Sequence, residues 1–153
     1  MKTMSNYQPG IAYERTPEEY ADSFLSWARE DRAFFASGAC HILADMFMQL
    51  HYGQGFECVH IRPHGNMPGN HVYVTDGIWA FDFNGWTKEA ELLEAYENAY
   101  VAKHPGWKYD KVIIKDDLET FCRNNNHRLP WQFPYLPWER AYKYIKQFGD
   151  TPE

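Results

Sequence analysis

The sequence has no long apolar run and no cluster of basic residues. No stretch reaches the roughly eighteen apolar residues of a membrane span, and residues 1–10 hold no apolar segment of signal-peptide length. A cytoplasmic location is therefore expected. Lys and Arg total 15 against 21 Asp and Glu and form no run, which makes nucleic acid and anionic membranes unexpected partners.

Cysteine is also scarce. The chain has three, Cys40, Cys58 and Cys122, which cannot all pair with one another. None stands in the Cys-x-x-Cys spacing that is typical of zinc and redox sites, so we interpret them as free thiols in a reducing compartment. There is no internal repeat and no low-complexity tract, and 153 residues predict a single domain over residues 1–153.

Aromatic residues, in contrast, are abundant. Six Trp, eleven Tyr and ten Phe make up 18% of the chain, far more than a disordered segment carries, and predict a packed core. Helical and strand patterns occur in an order that favours an α+β fold with helices on a face of a mainly antiparallel sheet. The predicted helices are 16–30, which begins with a capping box at Thr16 and Glu19, 40–50, 88–102, a short one after Asp116 or Asp117, and one from about 137. Tyr20 and Phe24 are expected on the buried side of the first helix and Tyr142 on that of the last, and residues 32–38 are expected to form a connector. The predicted strands are 56–62, 71–75, 78–82 and 107–115.

The clearest local feature is a hairpin at residues 71–82. Asp76-Gly77 is favoured for a two-residue type I′ turn, because both positions need positive φ. Such a turn sets a register in which His71 faces Asp82, close enough for the carboxylate to hold the imidazole. The alternation of strand side chains places a core face on the opposite side, formed by Val72, Val74, Trp79, Phe81 and Phe83.

A candidate nucleophile lies upstream of the hairpin. Cys40 follows Ser37-Gly38-Ala39 and opens a predicted helix. The apolar residues of this helix repeat at helical spacing, at Leu43, Met46, Phe47 and Leu50. A helix N-terminus lowers a thiol pKa, and a neighbouring imidazolium lowers it further. Cys40, His71 and Asp82 therefore form a hypothetical set of nucleophile, base and orienting carboxylate.

These segments resemble a known family. Gly38-Ala-Cys-His-Ile-Leu-Ala44, a strand, and then Asn70-His-Val-Tyr-Val and Trp79-Ala-Phe-Asp-Phe are similar to the transglutaminase-like branch of the papain superfamily. In that family a Cys at the start of a buried helix is followed by a His on one strand and an Asp on the next. The resemblance covers roughly residues 37–86. Arylamine acetyltransferases and small cell-wall cysteine peptidases share this arrangement of Cys, His and Asp.

The resemblance implies a papain-like fold, with the Cys-bearing helix packed on a mainly antiparallel sheet. It implies a cysteine hydrolase or acyltransferase of the peptidase, deamidase or transglutaminase type, acting on a protein, a peptide or a small amide without a cofactor. Cys40 would be the nucleophile that forms a thioester, His71 the general base and acid, and Asp82 the residue that orients His71.

The sequence identifies only one of the two hydrogen-bond donors expected in an oxyanion hole. The backbone N–H of Cys40, free at a helix start, is one expected donor. Papain-like peptidases carry a Gln shortly before the Cys, and residues 32–39 contain none. The second donor stays open between Gln8 and the indole of Trp27. Because this Gln is missing, a non-catalytic binding or regulatory module with the same fold is the alternative function.

Other assignments also remain open. Asn84, two residues after Asp82, is an alternative third member of the triad, as Asn serves in papain-like enzymes. Trp27, Arg62 and Asn70 are candidate substrate-binding residues. A zinc site is the least favoured alternative, because its candidate ligands match no standard spacing, and no metal is predicted. Those candidate ligands are Cys58, His60, His64 and His71.

Overall fold

Five strands form one antiparallel sheet in the computed structural model, which describes residues 6–153. They lie in the order β4-β3-β2-β1-β5, so the last strand returns to pair with the first. The α+β class and the antiparallel sheet are confirmed. The strands are β1 Glu57–Pro63, β2 His71–Thr75, β3 Trp79–Asp82, β4 Gly85–Lys88 and β5 Tyr109–Ile113.

Seven α-helices accompany the sheet within the described residues. The predicted helix from Cys40 to Leu50 is confirmed at both ends, and Asp117 caps α6 by accepting the Thr120 N–H at 2.8 Å. No helix of this part of the chain is long and apolar enough to cross a membrane. The helices are α1 Pro17–Ala21, α2 Ser23–Trp27, α3 Asp31–Ala36, α4 Cys40–Leu50, α5 Glu89–Lys103, α6 Leu118–Asn125 and α7 Trp138–Lys146.

Both faces of the central strands β2 and β3 are buried, which corrects the expectation of helices on one face. On the first face Val72, Val74 and Phe81 pack with α4. On the second face Tyr73 and Ala80 pack with α5, and all five residues of β2 are buried. The strand face that carries His71 and Asp82 is therefore excluded from solvent as well.

The predicted hairpin register is wrong by two residues. Val74 pairs with Phe81, and Thr75 pairs with Ala80. The connection is longer than a two-residue turn because Asp76 Oδ1 accepts the N–H groups of both Ile78 and Trp79, at 2.9 and 2.8 Å. A shift by an even number of residues keeps every side chain on its predicted face.

The predicted helix over residues 16–30 is wrong in its continuity. The capping box of Thr16 and Glu19 is present, but Asp22 is extended, with φ −118°, and its carboxylate caps a second helix through the Phe24 N–H. Tyr20 and Phe24, expected on the buried side, are 60% and 62% exposed. The expected connector at 32–38 is largely helix α3.

Two further elements differ from prediction. Strand β4 occupies residues expected to end the hairpin and start a helix, so α5 begins at Glu89. On α7, Tyr144 is buried and donates to the Phe83 carbonyl, whereas Tyr142, predicted inside, is 42% exposed.

Phe47 tests the packing of α4 on the sheet. Its ring is fully buried and stacks on Phe81 and His51, with centroids 4.9 and 4.2 Å apart. Phe47→Ala should lower the free energy of unfolding by about 3 to 5 kcal/mol, because it removes a large buried side chain and leaves a cavity. Urea unfolding measures this. Tyr52→Ala, at a side chain 91% exposed, is the control and should change stability by less than about 0.5 kcal/mol. Equal losses in both variants would contradict this packing.

Candidate active site

The start of α4 places Cys40 beside free backbone donors. The N–H groups of Ile42 and Leu43 both donate to the Ala39 carbonyl, at 3.1 Å each. Ala39 has no side chain that could cap the helix. The N–H of Cys40 therefore has no partner within the helix, and the positive end of the helix dipole lies next to the thiol. The Cys40 side chain is almost fully buried.

His71 and Asp82 form a buried pair at the end of two adjacent strands. His71 Nε2 lies 2.9 Å from Asp82 Oδ2, and both side chains are at most 1% exposed. The contact runs diagonally between β2 and β3, within reach of side chains two positions out of register. Because a carboxylate only accepts, Nε2 carries the hydrogen and donates it to Asp82.

The other ring nitrogen of His71 is left for the thiol. Nδ1 is buried without a well-formed hydrogen bond among residues 6–153, while the His71 and Cys40 side chains interact directly. The contact is looser than an ideal hydrogen bond.

Asp82 is held by two further donors. The Tyr7 hydroxyl donates to Oδ2 at 2.6 Å, and the backbone N–H of Asn84 donates to Oδ1 at 2.9 Å. Both carboxylate oxygens are therefore engaged, which fixes the carboxylate and through it the His71 ring. Tyr7 lies 75 residues from Asp82 in a segment without any helical or strand pattern, so no sequence signal pointed to it.

The pKa values of His71 and Cys40 move in the directions that an imidazolium–thiolate pair requires. Burial alone would lower the pKa of His71, but the hydrogen bond with Asp82, the contact with Cys40 and the negative charges of both groups raise it to about 9. Burial alone would raise the pKa of Cys40, but the close imidazoles of His127, His41 and His71 hold it well below its usual range. Of the three imidazoles, His71 is the one whose cation a carboxylate stabilises, so we assign the lowering chiefly to His71.

Two more histidines surround the thiol. His41 Nε2 donates to the Arg128 carbonyl at 2.7 Å, and His127 Nδ1 donates to the Asn125 carbonyl at 2.9 Å. When neutral, each ring therefore keeps a lone pair on its other nitrogen. The ligand atoms of Cys40, His41 and His127 lie within 4.8 Å of one another and could hold a metal ion. Sequence reasoning missed both histidines.

A cavity of about 840 Å³ adjoins Cys40. Asn70, one of the predicted substrate-binding residues, lines it, and Asn70 Oδ1 bonds His60 Nε2 at 2.6 Å. Arg15, His127 and Arg128, which the sequence did not single out, line it too. Cys40 therefore faces a polar cavity.

The other predicted site residues lie elsewhere. The Arg62 side chain is half exposed and sits 3.8 Å from Asp110. Trp27 packs edge-on against Phe34, with ring centroids 5.3 Å apart, and lies outside the cavity lining. Gln8, proposed with Trp27 as an oxyanion donor, also lies outside that lining.

Neither Asn84 nor the four candidate zinc ligands form the alternative sites that were expected of them. The Asn84 side chain accepts from Arg32 at 2.6 Å and donates to the Gln8 carbonyl at 3.0 Å, which leaves Asp82 as the partner of His71. Within residues 6–153, the set of Cys58, His60, His64 and His71 does not form a metal-binding cluster.

Comparisons with known proteins do not identify the chain, since no family model, curated protein or solved structure matches it.

Asp82→Asn tests the cause of the His71 shift. Without the carboxylate the imidazolium loses its main stabilising partner, so the pKa of His71 should fall from about 9 to its ordinary value near 6.5 or below. NMR titration of the imidazole signals measures this change. Asp110→Asn, which removes the carboxylate next to the exposed His64, is the matched control and should leave His71 unchanged. An unaltered His71 titration in Asp82→Asn would refute the pairing.

Proposed function

We propose that this chain is a thiol-dependent acyl-transfer enzyme of the papain-like type, acting on amides through Cys40, His71 and Asp82. The observation that carries the proposal is the buried His71–Asp82 hydrogen bond of 2.9 Å, with the other His71 nitrogen left to the thiol at the start of α4. A nucleophile, a base and a group that orients the base are the parts that such chemistry requires.

The reaction follows from these roles. The Cys40 thiolate attacks the amide carbonyl carbon, and the carbonyl π electrons move to oxygen. The C–N bond then breaks as the His71 imidazolium gives its proton to the leaving amine, which leaves a thioester on Cys40. Water, or an acceptor amine, attacks the thioester while His71 takes up a proton. Expulsion of Cys40 restores the thiolate, and the proton on His71 restores the imidazolium.

The oxyanion needs donors in place before the reaction. The N–H of Cys40 supplies one. For the second, the cavity lining favours Asn70 over Gln8 or Trp27. The Asn70 carbonyl oxygen is occupied by His60, which leaves its NH₂ group to donate.

Alkylation of the three cysteines tests the nucleophile. At neutral pH iodoacetamide should label Cys40 first, because its pKa lies well below the usual range, whereas burial raises the pKa of Cys58 to about 12 and that of Cys122 to about 11. Peptide mapping by mass spectrometry locates the label. His71→Ala should slow the labelling of Cys40.

Amide turnover completes this test. Cys40→Ala should abolish the release of ammonia or of new amino termini from a panel of glutamine-containing peptides, while Cys58→Ala and Cys122→Ala should retain it. Rapid labelling of Cys58 with Cys40 inert would rule the assignment out. An ordinary Cys40 reactivity, together with partner binding that survives Cys40→Ala, would favour a non-catalytic module.

A metal site is the second candidate function, favoured by the clustering of Cys40, His41 and His127. In both imidazoles one ring N–H donates a hydrogen bond to a backbone carbonyl, which is the arrangement that orients histidine ligands in zinc sites. Three protein ligands leave a fourth position open, as in catalytic zinc sites.

His127→Ala separates the two candidates. If the cluster holds zinc, elemental analysis of the purified wild type should find about one zinc per chain, and His127→Ala should lose it. If Cys40 is a nucleophile, the wild type should lack stoichiometric zinc. The labelling of Cys40 should then keep its wild-type rate in His127→Ala and be slowed in His71→Ala.

A further inference from the structure

Two arginines extend into the cavity beside Cys40. Arg15 and Arg128 both line it, and both contact Tyr20. The Arg15 guanidinium carbon sits 3.9 Å above the centre of the Tyr20 ring, and Arg128 Nη2 donates to the Tyr20 carbonyl at 3.3 Å. Residues more than a hundred positions apart thus place two positive charges in one cavity.

Neither guanidinium is fully satisfied. Arg15 Nε and Arg128 Nη1 are buried and have no hydrogen-bond partner among residues 6–153. Within the same residues neither side chain forms an ion pair. A buried N–H of a charged group without an acceptor is costly, so both groups call for an acceptor from outside the chain.

Gly38 allows Arg15 to lie close to Cys40. Gly38, two residues before Cys40, has φ +109°, and a Cβ there would lie 3.0 Å from Arg15 Nη1 and 3.1 Å from Cζ. The absence of a side chain at Gly38 therefore admits the guanidinium. On the other side, the Arg128 carbonyl accepts from His41, the residue after Cys40.

The charge of the cavity opposes the charge of the chain. The formal net charge is −6. Within the cavity lining the acidic side chain is Glu14, which is paired with Lys103 at 3.7 Å and partly exposed. Burial lowers the pKa of Arg128, and the nearby charge of Arg15 lowers it further, as expected for two cations placed close together. An anion between them would relieve this repulsion and satisfy both free donors.

We propose that the substrate carries an anionic group, a carboxylate or a phosphate, which Arg15 and Arg128 bind while Cys40 attacks the neighbouring carbonyl. Guanidinium groups match both anions with paired N–H donors. The proposal rests on the proposed function and narrows its substrate class from amides in general to amides with an anionic group close to the reacting carbonyl.

A pair of alkylating reagents of equal shape and different charge tests this inference. Iodoacetate carries a carboxylate where iodoacetamide carries a neutral amide. In both reactions the Cys40 sulfur displaces iodide and forms one S–C bond. In the wild type, iodoacetate should alkylate Cys40 faster than iodoacetamide and with a rate that saturates with reagent concentration, because the anion is bound before it reacts.

Variants assign the preference to the arginines. Arg15→Gln and Arg128→Gln should each lower the iodoacetate-to-iodoacetamide rate ratio by about tenfold, the effect of one charge-assisted hydrogen bond. Attraction by the His71 imidazolium persists in both variants, so it cannot account for the change. Arg123→Gln is the matched control, since Arg123 is exposed and paired with Glu119 on α6, and it should keep the wild-type ratio.

Further results distinguish a carboxylate from a phosphate, and a failure of this inference from a failure of the proposed function. Protection of wild-type Cys40 against iodoacetamide by succinate would indicate a carboxylate, and stronger protection by inorganic phosphate would indicate a phosphate. Rapid iodoacetamide labelling with no iodoacetate preference, or an unchanged ratio in both arginine variants, would overturn this inference and leave the proposed function standing. Slow labelling of Cys40 by both reagents would instead contradict the proposed function.

Discussion

The buried hydrogen bond between His71 and Asp82 is the contact on which the rest of the site depends. A carboxylate taken out of water is costly unless its oxygens are engaged, and removing one partner of a buried charged pair costs about 3 to 5 kcal/mol. Here the Tyr7 hydroxyl and the Asn84 N–H complete the coordination of the carboxylate. The N-terminal segment, the β2–β3 hairpin and the start of α4 are therefore tied to a single polar cluster between the two apolar cores.

This cluster links the fold to the proposed chemistry. The sheet order brings β2 beside β3, and α4 packs on β2 so that its N-terminus reaches the end of the strand that carries His71. The imidazolium held by Asp82 favours the thiolate, and the free N–H at the start of α4 suits a developing oxyanion. The cavity adds two guanidiniums beside Cys40, so the proposed reaction site and the proposed anion site meet at Cys40 and Gly38.

Local patterns predicted the parts of the fold that local forces determine. The apolar spacing from Leu43 to Leu50 identified α4 correctly, and the capping residues Thr16 and Asp117 identified the starts of α1 and α6. The hairpin register failed because the Asp76 side chain widened the turn, yet His71 and Asp82 stayed on one face since the shift was even. Tyr7, Arg15, His127 and Arg128 reach the site through tertiary contacts with distant residues, and their own sequence neighbourhoods give no hint of it.

The pKa of the Cys40 thiol is the most direct test of the proposed pairing of Cys40 with His71. In a variant with Cys58 and Cys122 replaced by Ser, ultraviolet thiolate absorbance reports Cys40 alone. We expect a thiolate that forms at a pH well below the value of about 8.5 for a free cysteine, and a titration that moves up towards that value in a folded His71→Ala variant. A Cys40 thiol that titrates at the ordinary cysteine value, with or without His71, would contradict this pairing.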